Sequence, residues 1–412
     1  MPASNTLLTI GMITNEALAV LVNQLTFTRQ VNRQYDSEFG RVGAKIGDTL
    51  NIRKPVRYIA RRTPTLDVQG TTETSVPLVL TTQYGCDMSF TSAELKLSID
   101  DFRDRIIKPA ISNMANAIDF DGMQLYKNIY NTVYKSTGPG NTPDQLITYL
   151  NAGVKLDNEA APMGDRRLVL NPIAQATIVN ALTTIFNPNK QISEQYLRGS
   201  MGTAVGFDWY MAQNVPVHTI GVYAANVSGG AVTVTTAVTS GSTIVTGGWT
   251  AGDILNIGDV ITLSTVYAIN PQNYQSTGQL RQFVVTATAV ADSGGAMTIS
   301  VSPAIVFGTA QATVTSVTNS IPAGATLSVF GASGTVTPQN LAFCKDAFTF
   351  ATVPLPGDMP GTKCSVATAP ELGMSIRLMQ GTDMVNDRMI SRLDLLGGWA
   401  TIRPELACRI AG

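Results

Sequence analysis

Hydrophobic spacing changes period several times along the chain. Between Thr6 and Thr26, Leu7, Ile10, Ile13, Ala17, Leu18, Leu21, Val22 and Leu25 recur every three or four residues. That spacing predicts a helix over 15–25, with Thr14 as N-cap and Glu16 in its first turn. The segment has little polar face, so it is expected to pack on something outside itself. From Gly47 to Thr91 the period is two, as in Val76-Pro-Leu78-Val-Leu80 and Cys86-Asp-Met88-Ser-Phe90, punctuated by Pro55, Pro64, Gly70 and Pro77. Such a run reads as a long two-stranded excursion.

Helical spacing then returns. Ser98 with Asp101 resembles a capping box for a short helix to about Ile107. Pro109 stands where a first turn tolerates proline. Beyond it, Ile111, Met114, Ala115, Ile118, Leu125, Ile129 and Val133 form one stripe, with Asn113, Asn116, Asp121, Gln124, Lys127 and Asn131 facing away. A helix from Pro109 to Tyr134 would be about 40 Å long, ended by Gly138-Pro139-Gly140. Thr142 to Gly221 reads as mixed α/β. A helix is expected over Pro143–Asn158 with Thr142 as cap, a strand over Arg167–Leu170, a helix over Pro172–Phe186 capped by Asn171, and strands at Phe207–Met211 and Val215–His218.

From Val222 to Val336 the only charged residues are Asp253, Asp259, Arg281 and Asp292. Short alternating runs recur at Ala231–Thr239, Val260–Ile269, Phe283–Val290, Met297–Val301, Thr313–Val317 and Thr326–Phe330, separated by Gly-rich turns. This pattern predicts a small all-β barrel or sandwich inserted into the α/β sequence, which resumes at Pro338. Leu341–Phe348 reads as a strand leading into a turn. Met374–Gln380, Arg388–Leu396 and Trp399–Arg403 read as strands of one antiparallel sheet, the last two parted by Gly397-Gly398.

Charge alters the picture in one respect. The 412 residues carry 28 Lys+Arg against 29 Asp+Glu, and only 14% are charged, which is low for a soluble chain and suggests surface hidden against other chains. The near-zero sum gives no global reason to grip nucleic acid or an anionic membrane. Locally, Arg53, Lys54, Arg57, Arg61 and Arg62 cluster in the excursion. They read equally as a solvated edge that resists aggregation or as a cationic arm that docks on acidic patches of a neighbour. Met1–Thr28 lacks a basic n-region, and no stretch reaches the roughly 18 apolar residues of a membrane span.

Catalytic patterns are missing from the sequence. It holds no GxxxxGK[ST], no GxGxxG opening a helix and no GxSxG, and its single histidine excludes HExxH. His218, in an apolar strand, reads as a structural histidine. Asp119-Phe-Asp121-Gly122 lacks the downstream ligands of a calcium loop. Asp383, Asp387 and Asp394 lie beside Arg377, Arg388 and Arg392, as solvated or interface ion pairs would. The sequon Asn226-Val-Ser228 has no secretion signal to give it meaning, and Cys86, Cys344, Cys364 and Cys408 are spaced as reduced thiols. No enzyme, cofactor or metal site is expected.

The order of the parts resembles the major capsid proteins of tailed double-stranded DNA phages with the Hong Kong 97-type fold. It looks most like the short-tailed Salmonella phage branch, whose coat proteins carry an inserted β domain. The residues bearing the likeness are Gly47–Phe90 (E-loop), Ser98–Tyr134 (spine helix), Gly206–Trp209 through Pro216–Gly221, Leu341–Phe348, and Gly373–Arg409 with Gly381-Thr-Asp383 and Arg403-Pro-Glu405. The resemblance implies an α+β chain with an N-terminal arm at 1–40, an E-loop at 41–92, a P-domain spine helix at 93–141, P/A-domain α/β at 142–221, an inserted β domain at 222–337 and a closing sheet at 338–412. It implies a subunit that self-assembles as pentamers and hexamers into an icosahedral shell around double-stranded DNA held without sequence preference. It further implies a separate scaffolding protein, a portal at one vertex, a possible decoration protein, no membrane, assembly in the host cytoplasm and residence in the virion. Arg53, Lys54, Arg57, Arg61, Arg62, Leu18, Leu21 and Leu25 are the inter-subunit contact candidates. Two other readings stay open. One is a bacterial surface or adhesin-like binding protein, which needs the secretion signal that is missing. The other is a carbohydrate-active or other hydrolase with a β accessory domain. An encapsulin-like compartment shell shares the capsid fold, but the inserted domain and basic excursion argue against it.

Overall fold

The computed structural model describes residues 10–34, 49–60, 62–66, 68, 73–91, 108–135, 142–182, 202–224, 232–308, 312–316, 319–357, 362–369, 373–383 and 388–412. They fall into two compact units, each assembled from separated stretches of chain. The first draws on Met1–Ile52, Ser75–Gly122 and Phe348–Ile402, the second on Arg53–Thr74, Met123–Ala347 and Arg403–Gly412.

The first unit is built on a five-stranded antiparallel sheet. Its long strand Arg388–Thr401 pairs with Phe348–Val353, Ser375–Asp383 and Thr82–Thr91, and Lys363–Thr368 adds to Ser375–Asp383. Thr82–Thr91 therefore belongs to this sheet, and the two-stranded excursion is confined to Thr49–Arg53 and Ser75–Val79. Arg388–Thr401 is also continuous where Gly397-Gly398 suggested a break. The glycines serve close approach. A Cβ on Gly398 would lie 2.1 Å from the Val79 carbonyl oxygen, and one on Gly397 would lie 2.7 Å from the Phe350 ring. Helix α1, Ile10–Gln24, packs on Lys363–Thr368 and Ser375–Asp383. It starts a turn earlier than expected, so Thr14 is not its N-cap but a buried residue inside it.

Helix α2 runs Lys108–Met123, and a 3-10 turn, Gln124–Asn128, follows. At about 1.5 Å per residue it is nearer 24 Å than 40 Å. It stops short because the next backbone is claimed elsewhere: Thr132–Tyr134 pairs in parallel with Arg409–Ala411, and the Gln282 amide exchanges two hydrogen bonds with Thr132. The buried stripe of Ile111, Met114, Ala115 and Ile118 is as the spacing predicts. The Ser98–Ile107 helix and Gly138–Gly140 lie outside the described residues.

In the second unit a six-stranded mixed sheet has the order Thr132–Tyr134, Ala407–Ala411, Asn340–Cys344, Arg166–Leu170, Phe207–Met211, Thr203–Ala204. Helix α3, Leu146–Asn158, packs on it. This helix begins after Gln145, so neither Pro143 nor Thr142 opens it; Thr142 is buried. Helix α4, Pro172–Leu182, has the expected cap, with Asn171 Oδ1 accepting from Ala174 N at 2.9 Å. A seven-stranded antiparallel arrangement occupies the nearly uncharged stretch, with Val260–Ile269, Ser276–Val285, Ala296–Val306 and Ser240–Gly247 as its long strands. Its main core is a cluster including Ile244, Trp249, Leu263, Phe283, Ile299 and Ile305, while Val260 and Val284 pack with Tyr130 in a second cluster. Beside it, Val217–Thr219 pairs antiparallel with Val336–Pro338, so the two ends of the stretch lie next to one another.

Candidate assembly interface

The structure assigns the candidate chemistry of the sequence to internal support. His218 is buried, with Nε2 2.8 Å from Asp259 Oδ1 and Nδ1 3.1 Å from the Tyr126 hydroxyl. Asp259 Oδ2 accepts from the backbone N–H groups of Gly221 at 3.1 Å and Asn256 at 2.7 Å. Nε2 thus ties the start of the β stretch to the loop before Val260, and Nδ1 ties it to the turn carrying Tyr126. Gly221 is dictated by the same packing, since a Cβ there would meet the Ile254 carbonyl oxygen at 2.1 Å.

Asp119 turns toward the end of the N-terminal helix. Its carboxylate accepts from the backbone N–H of Thr26, Phe27 and Thr28 and from the Thr28 hydroxyl. Asp394, fully buried, lies between Arg377 Nη2 at 2.8 Å and Arg392 Nε at 2.7 Å. Asp383 stands opposite Arg388 in the strand ladder, while Asp387 lies outside the described residues. The charges inside the uncharged stretch follow the same rule. Asp253 accepts from Ala224 N and Thr250 N, Asp292 from Gly294 N and Ala296 N, and buried Arg281 donates to buried Glu159 while lying over the Tyr130 ring. The sequence holds one signal for these supports, namely that they are the rare charges in an apolar context. It does not show their partners.

The contact candidates divide into two groups. Leu18, Leu21 and Leu25 are buried in the first unit, so in this conformation α1 spends its apolar face on its own chain. The excursion behaves differently. Arg53 Nη1 pairs with Glu73 Oε2 at 3.0 Å with both side chains largely exposed, Lys54 is half-buried, and Arg57 Nη2 lies 3.8 Å from Glu405 Oε1. Arg62 is exposed, and Arg61 lies outside the described residues. Around Arg62, Tyr58, Ile59, Leu66 and Val68 also face solvent, the last two at 76% and 80% exposure. Sequence reading found the cations here and missed the apolar rim between them.

The family described as "P22 coat protein - gene protein 5" matches the chain over residues 1–412. The chain belongs to the P22 coat protein family. It is therefore a major capsid protein, a subunit of an icosahedral phage shell, and its place is in the virion. A comparison with curated proteins found no match. Among solved structures the chain is similar to Mycobacterium phage Che8, at 10% identity over 93% of this chain and 90% of that one, with a TM-score of 0.45. It is also similar to the capsid of Ralstonia phage GP4, at 8% identity over 93% and 88%, with a TM-score of 0.44. The mixed α+β content of both units agrees with the fold class expected of a coat subunit.

Proposed function

We propose that the coat subunit assembles as pentamers and hexamers around packaged double-stranded DNA, and that the exposed rim of the excursion formed by Tyr58, Ile59, Arg62, Leu66 and Val68 is one of the surfaces by which copies join. The observation that carries this is the rim itself. Tyr58, Ile59, Leu66 and Val68 leave four large apolar side chains in water beside an exposed arginine. Exposed apolar side chains of this kind, accompanied by charge, suit a protein contact. Arg62 and Lys54 add charge that favours an acidic neighbour. The stretch 222–337 is read as an inserted β domain, supported by the apolar cluster its own strands form and by its paired ends. Scaffolding protein, portal and, where one exists, decoration protein are the other partners, assembly takes place in the host cytoplasm, and the subunit performs no catalysis. The internal pairing of His218, Asp119 and Asp394 supports this last point, because each is held by structural partners.

Negative-stain microscopy of the purified chain, with or without scaffold, is expected to show closed shells. Monomers and small oligomers under all assembly conditions would overturn the reading. Leu66→Asp combined with Arg62→Glu is expected to abolish shells while the circular dichroism of the monomer stays unchanged. Normal shells from that variant would remove the rim from the interface.

A further inference from the structure

Within the second unit lies a cavity of about 320 Å³. Its walls come from the base of the excursion (Lys54 and Arg57), the Arg281–Glu159 pair, and the turn carrying Arg403 and Glu405. Four cations therefore face two carboxylates. Both carboxylates are already engaged. Glu159 accepts from Arg281, and Glu405 Oε1 accepts from Arg403 Nε at 3.2 Å and lies 3.8 Å from Arg57 Nη2. Lys54 lines the same space and has no ion-pair partner among the described residues. Thr74 and Ser302 add hydroxyls to the lining. The cavity thus has cationic donors in surplus and no carboxylate left to answer them, and a partly desolvated cation is costly without a counter-charge.

We propose that this cavity is an oxyanion site whose uncommitted charge is Lys54. A space near the lower end of ligand-pocket volumes holds a phosphate or an acidic side chain, and the charge-assisted hydrogen bonds that recognise the two are the same. One source of the oxyanion is a carboxylate of a neighbouring copy. This source rests on the shell-subunit reading and is favoured by the exposed rim that begins four residues after Lys54. The other source is free inorganic phosphate.

The test compares the full chain with Lys54→Met, which keeps the side-chain stem and removes the charge, and with Lys345→Met. The second variant makes the same change at an exposed lysine outside the cavity lining. Assembly is followed by light scattering at constant ionic strength, with and without inorganic phosphate. Lys54→Met is expected to assemble about tenfold more slowly and Lys345→Met within about twofold of the parent. Phosphate is expected to slow the parent and leave Lys54→Met unaffected. A cryo-microscopy map of the shell then identifies the source: density joined to a neighbouring Asp or Glu means a second copy, and isolated density means phosphate. Equal rates for all three proteins without phosphate sensitivity, or an empty cavity in the shell, would overturn the site. If the parent forms no shells, it is the shell reading that fails. Calorimetric titration of the unassembled chain with inorganic phosphate still decides the site, with affinity expected to fall about tenfold in Lys54→Met and equal affinity counting against it.

Discussion

At the scale of single residues, the few charges of this chain act mainly as fasteners. Asp394 shows what removing one does. Truncation to Ala leaves Arg377 buried without its counter-charge, and Arg377 already has one buried nitrogen without a partner. Breaking such a pair from one side costs about 3–5 kcal/mol. Urea denaturation of Asp394→Ala is expected to show a loss of that order, with a smaller loss for Asp394→Asn, which keeps a hydrogen-bond acceptor. The four cysteines, all free thiols, give a second check. Burial pushes the Cys344 thiol up to about 11 and the Cys408 thiol up to about 12, so neither forms thiolate near neutral pH. Iodoacetamide at pH 8 is expected to label half-buried Cys364 first. Cys344 and Cys408 should stay protected until the chain is unfolded, and mass spectrometry of native and denatured digests would show it.

At the scale of elements, local signals were legible wherever the chain itself satisfies its backbone. Asn171-Pro172 announced α4, and the structure has that cap at that position. Val260–Ile269 has the bounds its alternation predicts. Illegible features depend on partners far away in sequence. The end of α2 is set by pairing with Arg409–Ala411, and Thr82–Thr91 joins a sheet by pairing with residues 388–397. Gly397-Gly398 reads as a turn in one dimension and as a close-packing site in three. Ala at 398 would force the strand away from the Val79 carbonyl, so Gly398→Ala is expected to cost more than the 1–3 kcal/mol usual for overpacking, seen as reduced soluble yield and a lower thermal midpoint. The helical counterpart is Gly122, where a Cβ would sit 2.6 Å from the Trp399 ring. Alanine gains about 1 kcal/mol of helix propensity there, and the clash is expected to outweigh it in the same assay.

For the whole molecule, the low charge fraction acquires a location. The β stretch is nearly uncharged and uses its four charges as internal ties, while the excursion carries exposed cations beside exposed apolar groups. Shell residence followed from the order of parts, which the sequence displays. The fate of Leu18, Leu21 and Leu25 did not, because a helical apolar stripe does not show in sequence what covers it, and here it is buried. The pairing of Val217–Thr219 with Val336–Pro338 bears on how so long a stretch is accommodated. Two antiparallel neighbouring strands are the two arms of a hairpin, and everything between them is, topologically, its loop. Closing a loop costs free energy only logarithmically in its length, about 0.6 kcal/mol per doubling. Bringing the two ends together is therefore nearly as cheap for a long stretch as for a short turn, and what fixes the stretch within its unit is a few specific ties, Gln282 on Thr132 and Arg281 on Glu159 among them.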